Sequence, residues 1–366
     1  MERVLVYGMT YNLGGIESYL MNLLERLDPQ QLQFDFVTDF AAIAYRDELE
    51  ARGCRIYNIP AKSSGVLAQW RALHKTLRAH PEYHKVYFNV LDAGSAITML
   101  IPWLMGRQIV THSHSGDTDK QCLHRLTRPF LNLFTAKRCA CSGLAADFLF
   151  GPRYRRAGKV GIIPNAIDTR KFRFDPARRT TVRRALSLEP STRVILHVGR
   201  PSRQKNPFRL LDIFAAFRAA YPDSVLLYIG TGELETEVRA YAARTLPPAA
   251  VRFLGLRRDI PDLMFAADAF LLPSLYEGLP MVAVEAQAAG LPVLASDAVS
   301  TETALTPLVR FLSLDEPDRI WAEALAQSFL ELRESPTSML IDAGFDSASP
   351  SAAEKELVSY LLNGQA

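Results

Sequence analysis

No apolar run in this chain approaches the ~20 residues that a membrane-spanning helix requires. The four cysteines, Cys54, Cys122, Cys139 and Cys141, fall in no framework spacing. That excludes a disulfide-stapled fold and points to free thiols in a reducing cytoplasm. No Gly-x-Gly-x-x-Gly follows the first strand candidate, which disfavours a nicotinamide oxidoreductase. Cys-x-x-Cys and His-Glu-x-x-His spacings are missing too, so a structural or hydrolytic zinc site has little support. The opening Met1-Glu-Arg-Val4 reads as the start of a strand, and no secretory leader is expected.

What is present is an ordinary globular balance, 48% hydrophobic and 22% charged over 366 residues, enough for two domains. Short strands alternate with helices throughout, which predicts α/β with parallel sheets. In the first half the strands are Val4–Tyr7, Phe34–Thr38, Arg55–Ile59, Lys85–Asn89, Gln108–His112, Arg138–Ser142 and Val160–Pro164. The second half restarts with Val194–Val198, Val225–Ile229, Val251–Leu254, Ala269–Leu272 and Pro292–Ala295. Helices near 207–220, 233–244, 260–267, 281–289 and 318–333 connect them. The reading is a first domain over 1–168, a basic linker over 169–191 and a second domain over 192–345. A further linker spans Ser335–Ser351, and a terminal helix within 352–366 packs back on the first domain. Two doubly wound sheets place ligands at the carboxyl ends of the strands, in the cleft between domains.

Net charge is only +3 but uneven. Between Leu123 and Arg184 there are fifteen Lys/Arg and three Asp, a local +12, leaving −9 for the rest. Such a block marks an anionic partner or merely a solvated arginine-rich face. It is not interleaved with stacking aromatics, so nucleic acid is not expected.

The segment Glu277-Gly-Leu-Pro-Met-Val-Ala-Val-Glu285 carries the strongest signal. It follows an apolar strand, puts Glu277 in a loop, and offers Pro280 as first helical residue. Glu285 then falls about one and a half turns into a small-residue, buried helix. A buried Glu costs several kcal/mol without a partner (roughly 2–7 for polar groups), and a ligand hydroxyl can be that partner.

Two other strand-to-helix junctions share the logic. Val4–Tyr7 leads to Gly14-Gly15, where backbone N–H groups can approach a ligand. Val194–Val198 leads to Gly199-Arg200-Pro201 and Lys205-Asn206-Pro207, with Asn206 as N-cap and the cations flanking a helix start suited to phosphate. Gly230-Thr-Gly232 and Arg257-Arg258-Asp259 follow later strands, the glycines having a purely structural alternative and Asp259 reading as an N-cap. His112 and His114 share a face at a strand end, as a cleft donor or proton-transfer group or as structural histidines. A zinc set with Cys122 and His124 is the weaker alternative. Asn165 is a turn residue or a cleft contact.

In this order these residues resemble the family 4 glycosyltransferases of the GT-B fold. The matching pieces are Gly14-Gly-Ile-Glu17, His112-Ser-His114, Ile163-Pro-Asn-Ala-Ile-Asp168, Gly199-Arg200 with Lys205, and Ile229-Gly-Thr-Gly232. Val251-Arg-Phe-Leu-Gly255, Ala267 to Ser274, and Glu277 to Ala295 continue the match, which runs nearly the whole length. Within the family the likeness is to bacterial surface-polysaccharide enzymes.

The resemblance implies two Rossmann-like domains and a retaining transfer of a sugar from a nucleotide diphosphate donor, UDP-linked, to a saccharide or lipid-linked acceptor. It implies no metal and no cofactor, the nucleotide sugar being a co-substrate. Glu277, His114, Arg200 and Lys205 are the expected catalytic residues. Donor contacts are expected from Gly14, Gly15, Arg200, Lys205, Gly232, Arg257, Gly278, Leu279, Met281, Val282 and Glu285, with Glu285 on the ribose hydroxyls. His112, His114 and Asn165 are expected at the sugar or acceptor. Ala166 stands where the family usually has Gly, and Pro201 departs from its loop. A cytoplasmic enzyme follows, peripheral on an anionic membrane face through basic 123–184. The alternatives are a non-catalytic partner subunit on the same fold, or a nucleotide-sugar hydrolase or epimerase.

Overall fold

The computed structural model describes residues 1–11, 14–329 and 332–363. Among them the chain divides into two units, 1–166 with 347–366, and 167–346.

The first unit holds a seven-stranded sheet: β1 (Glu2–Tyr7), β2 (Leu32–Thr38), β3 (Ile56–Asn58), β4 (Lys85–Val90), β5 (Gln108–Ser113), β6 (Thr135–Ala140) and β7 (Gly161–Ile162). Their order is β3-β2-β1-β4-β5-β6-β7, every pair parallel. The second holds β8 (Arg193–Val198), β9 (Ser224–Ile229), β10 (Val251–Phe253), β11 (Ala269–Leu272), β12 (Val293–Ser296) and β13 (Val309–Leu312). Here the order is β10-β9-β8-β11-β12-β13, again all parallel. Strands such as β9 and β11 are buried along their whole length, because helices cover both faces of a parallel sheet. In each sheet the order reverses beside its first strand, between β1 and β4 and between β8 and β11. Loops leave such a point in opposite directions and open a crevice.

Several boundaries differ from the sequence reading. Residues 169–191 are no linker: they carry the helix Pro176–Ala185, capped by Asp175, and belong to the second unit. Its polar composition hid it, because its anchors are arginines. Arg179 meets Asp268 at 2.6 Å and Arg183, buried, donates to the carbonyls of Ala266 and Glu189. The second expected linker contains the helix Thr337–Asp342, with Leu340 and Phe345 in the core. The edge strand β13 escaped notice for being four residues long with a charge inside.

Strand β6 runs earlier than predicted, because Ser142 turns the chain into the helix Gly143–Leu149, its Oγ accepting from the Ala145 N–H at 3.1 Å. The helix expected over 318–333 spans Asp318–Gln327, and residues 330–331 of that expectation lie outside the described residues. The terminal helix Ala352–Leu362 belongs to the first unit and buries Leu357 and Leu361 with Val4 and Leu20. Residues 364–366 of the expected 352–366 segment also lie outside the described ones.

Candidate active site

The loop after β11 presents Glu277, whose side chain is only 9% exposed. Its Oε1 receives Lys205 Nζ at 2.5 Å and Ser274 Oγ at 3.0 Å. Gln204 Nε2 donates to Oε2 at 3.3 Å. The two loops are also tied through backbone, Leu275 N–H donating to the Gln204 carbonyl at 2.8 Å. A carboxylate this deep is tolerable because three donors, one of them cationic, face it.

Helix Met281–Ala288 follows at once. Pro280, expected as its first residue, is its N-cap instead, in extended conformation (ψ 109°) and with no side-chain cap. The leading amides of Met281 and Val282 therefore have no intrahelical acceptor. Gln287 anchors the far end, accepting from Leu305 N–H at 3.1 Å and Thr306 N–H at 3.0 Å. Glu285 is half-buried rather than buried, and no described residue pairs with its carboxylate. Surrounding protein removes its hydration without offering a donor, which pushes its pKa up to about 8.

The loop after β8 wraps around glycine. The Lys205 stem crosses Gly199, where a Cβ would lie 3.2–3.3 Å from Cδ and Cε. Gly230 sits at φ +133°, and a Cβ there would meet the Gly199 carbonyl oxygen at 2.3 Å. Gly232 packs on Arg200 and Pro201, and the Pro201 carbonyl accepts from Leu234 N–H at 2.9 Å. Pro201 thus fastens this loop to the next, leaving Arg200 exposed and free of described partners. Asn206 does occupy the N-cap of the helix Pro207–Ala220, but in the left-handed region (φ 52°), so its side chain caps nothing. The start of that helix stays open for another acceptor.

In the first unit Gly14 is N-cap of the helix Gly15–Arg26, and Glu17 accepts from Gly14 N–H at 3.2 Å and from Thr10 N–H at 2.8 Å. A Cβ on Gly15 would stand 3.3 Å from Asn165 Nδ2. His112 and His114 lie with ring centroids 4.1 Å apart. His112 bonds Tyr87 through Nδ1 at 2.7 Å, and Tyr87 bonds Tyr19 at 3.0 Å. His114 Nε2 bonds Asn89 Oδ1 at 2.9 Å, while His114 Nδ1 and Asn165 Oδ1 are buried without a partner. Burial lowers the pKa of His114 to about 3, which keeps it neutral. Gly15, Asn165, His114 and His112 therefore gather at one place.

The description "Glycosyltransferase Family 4" matches residues 13–171, and "Glycosyl transferases group 1" matches residues 178–339. EpsF of Bacillus subtilis (strain 168), named as a glycosyltransferase, is 33% identical over 337 residues, covering 89% of this chain and 88% of EpsF. This chain is a family 4 glycosyltransferase of the GT-B fold. The UDP-Gal:alpha-D-GlcNAc-diphosphoundecaprenol alpha-1,3-galactosyltransferase of Escherichia coli is 26% identical, covering 78% of this chain and 76% of that one. Anabaena Alr3699/HepE, solved with UDP-glucose, shares the fold with a TM-score of 0.79 at 21% identity, covering 99% of both chains.

In this glycosyltransferase three residues around the candidate site escaped the sequence reading. Gln204 and Ser274 hold Glu277 but carry no motif of their own. His197 lies within β8, donating from Nδ1 to the Leu271 carbonyl at 2.8 Å, with Nε2 unpartnered beneath Gly199. Burial, with Lys205 adding to it, lowers its pKa to about 4. Other expectations meet local competition. Arg257 is engaged with Asp259 at 2.5 Å, so Asp259, although at the N-cap, makes no side-chain cap. His124 spends both ring nitrogens on Ala93 N–H and the Phe148 carbonyl. Among the described residues no group of three or more His, Cys, Asp or Glu could hold a metal ion. The basic block 123–184 is divided between the units, its later arginines bound inside the second.

Proposed function

We propose that this enzyme is a retaining, metal-independent glycosyltransferase that moves a sugar from a UDP-linked donor to a saccharide or lipid-linked saccharide in surface polysaccharide biosynthesis. The Lys205–Glu277 pair, beside an uncapped helix start and eight residues before the unpartnered Glu285, carries this assignment. Names of relatives support the substrate class: one uses UDP-Gal and a diphosphoundecaprenol-linked acceptor, and HepE binds UDP-glucose.

Glu285 would accept the ribose hydroxyls, satisfying a carboxylate that otherwise lacks donors. Arg200, Lys205 and the Met281 and Val282 amides would face the diphosphate, with Gly232, Gly278 and Leu279 bringing backbone close to it. These charges would do for the leaving group what a divalent cation does elsewhere. Glu277, with Oε1 already receiving two donors, would orient sugar hydroxyls through Oε2. The C–O bond from the anomeric carbon to the diphosphate breaks, its electron pair leaving with phosphate. The acceptor oxygen bonds that carbon from the same face, and its proton passes to the departing phosphate oxygen. In the first unit, His114 Nδ1, a neutral acceptor, with Asn165, His112 and Gly14-Gly15, would bind sugar or acceptor. The free thiols fit a cytoplasmic site of action.

A thermal-shift screen of nucleotide sugars, followed by transfer assays with and without chelator, tests this. Stabilisation by a UDP-sugar and chelator-resistant transfer with retained configuration are expected. Stabilisation by no nucleotide sugar, or loss of transfer with chelator, would overturn the corresponding part.

A further inference from the structure

Asn89, near the end of β4, pairs across the sheet with His112 on β5, and His114 follows β5 directly. Asn89 is buried, and Gly8 packs on it so closely that a Cβ there would run into the Asn89 carbonyl oxygen. The His114 main chain is held as well, its N–H donating to the Val90 carbonyl at 2.9 Å. The His114 ring packs against Tyr19 and His112, at centroid distances of 5.4 Å and 4.1 Å. Between these two fixed backbones Asn89 Oδ1 meets His114 Nε2 at 2.9 Å.

That contact has a direction. An amide oxygen only accepts, so His114 Nε2 carries the hydrogen. Burial keeps the ring neutral, which leaves a lone pair on Nδ1. The other edge of the ring agrees. Asn165 lies close enough to perturb His114, yet His114 Nδ1 and Asn165 Oδ1 are both buried without a hydrogen-bond partner. Two facing lone pairs leave such a gap, whereas an N–H would close on the amide oxygen. His112 has the opposite sense. The Tyr19 and Tyr87 hydroxyls both find acceptors among the described residues only when the chain runs from Tyr19 through Tyr87 to His112 Nδ1. His112 Nε2 is then an N–H, beside the Ile163 carbonyl. Turning the Asn89 amide over would set a donor against His114 Nε2 and reverse that ring alone.

We infer that Asn89 is a positioning residue that locks His114 in its Nε2–H tautomer, so that the nitrogen on the Asn165 side is an acceptor and the ligand group it receives is a hydroxyl. The ligand step rests on the role proposed for His114 at the sugar or acceptor; the tautomer does not.

Long-range proton–nitrogen correlation spectra of the full chain, labelled with 15N-histidine, read each ring's tautomer. The signals lost in His114→Gln identify His114. In the parent at pH 8 the hydrogen is expected on Nε2 and Nδ1 bare. Asn89→Leu leaves a buried Nε2–H without an acceptor, so the hydrogen should move to Nδ1, where Asn165 Oδ1 can take it. Transfer by this variant should fall at least about tenfold in kcat/KM. Asn89→Asp offers an acceptor for the same hydrogen. A neighbouring carboxylate raises a histidine pKa by about 1–3, so from about 3 the ring stays neutral at pH 8. The Nε2–H tautomer and most of the transfer should therefore return. A merely structural Asn89 would lower the melting temperature of Asn89→Leu without moving the hydrogen. Should that variant fail to fold, the parent and Asn89→Asp spectra still decide the tautomer. Hydrogen on Nδ1 in the parent, or on Nε2 in a folded Asn89→Leu, would overturn the inference. A tautomer that moves as stated while transfer is untouched would strike the proposed role of His114 alone.

Discussion

Lys205 Nζ and Glu277 Oε1 stand 2.5 Å apart, on loops that follow β8 and β11, the two neighbouring strands between which the second sheet reverses its order. The crevice that such a reversal opens is thereby bridged by an ion pair. Neither group is well placed without the other: Ser274 and Gln204 complete the shell of Glu277, and Lys205 is 16% exposed. Glu277→Ala and Lys205→Ala are each expected to reduce kcat by about a hundredfold to a thousandfold with the fold retained. The double variant should be little worse than the weaker single variant, because the two act as a unit. Steady-state kinetics on the three proteins check this, and losses that simply multiply would show independent roles.

Gly199 and Gly230 make a contrasting pair. Gly199→Ala puts a methyl 3.2–3.3 Å from the Lys205 stem and 2.9 Å from His197 Nε2, so it should displace the lysine and cut activity at least about tenfold with a small loss of stability. Gly230→Ala adds a backbone collision at 2.3 Å to a left-handed φ, and should destabilise by about 2–4 kcal/mol. Denaturant melts beside kinetics separate the two; equal stability of both variants would contradict the assignment.

Glu285 links pH to stability and, in its proposed role, to donor binding. Its folded pKa near 8 lies above the ordinary 4.5, so between those values the folded enzyme holds a proton that the unfolded chain has released. Stability therefore falls as pH rises through this window, and the cost is full above pH 8. Glu285→Gln should melt higher than the parent at pH 9 and near it at pH 5. The same variant should lose most of its stabilisation by a UDP-sugar, since an amide cannot accept both ribose hydroxyls as a carboxylate does. Thermal melts over that range, with and without donor, give both results.

The buried histidines act in the opposite sense. Burial lowers His112, lowers His114 to about 3, and lowers His197 to about 4, against an ordinary 6.5. The stability they permit is present above pH 6.5 and is lost as pH falls toward 3, by up to about 1.4 kcal/mol per pH unit for each. Urea melts from pH 7 to pH 4 should steepen accordingly, and His197→Gln should flatten the dependence by one proton's worth. A wild-type slope near zero across that range would refute the burial of these rings.

The sheets were legible in the sequence because parallel strands covered on both faces are continuous apolar runs, as Val225–Ile229 and Ala269–Leu272 are. The helix Pro176–Ala185 was not, because its anchoring runs through arginine to carbonyl oxygens and Asp268, a mode with no hydrophobic period. At the site, motif residues announced Glu277, Lys205 and Glu285, but not that the first two touch. Pairing across loops depends on strand order, and strand order is not written in local pattern. Gln204 and Ser274 were illegible for the same reason. The donor role expected of Arg257 met a neighbour two residues away, Asp259, that competes for it.

The terminal helix Ala352–Leu362 has a consequence for synthesis. Its Leu357 and Leu361 fill the first unit's core, Lys85 caps it at the Leu361 and Asn363 carbonyls, and Arg26 and Lys137 pair with Glu354 and Glu356. As the chain leaves the ribosome, the unit that emerges first is thus the one completed later. The second unit has all its residues while the buried ammonium of Lys85, with Glu2 at 3.6 Å, still lacks the Leu361 and Asn363 carbonyls. An arrest before residue 352 would leave a finished second unit and an open seam in the first.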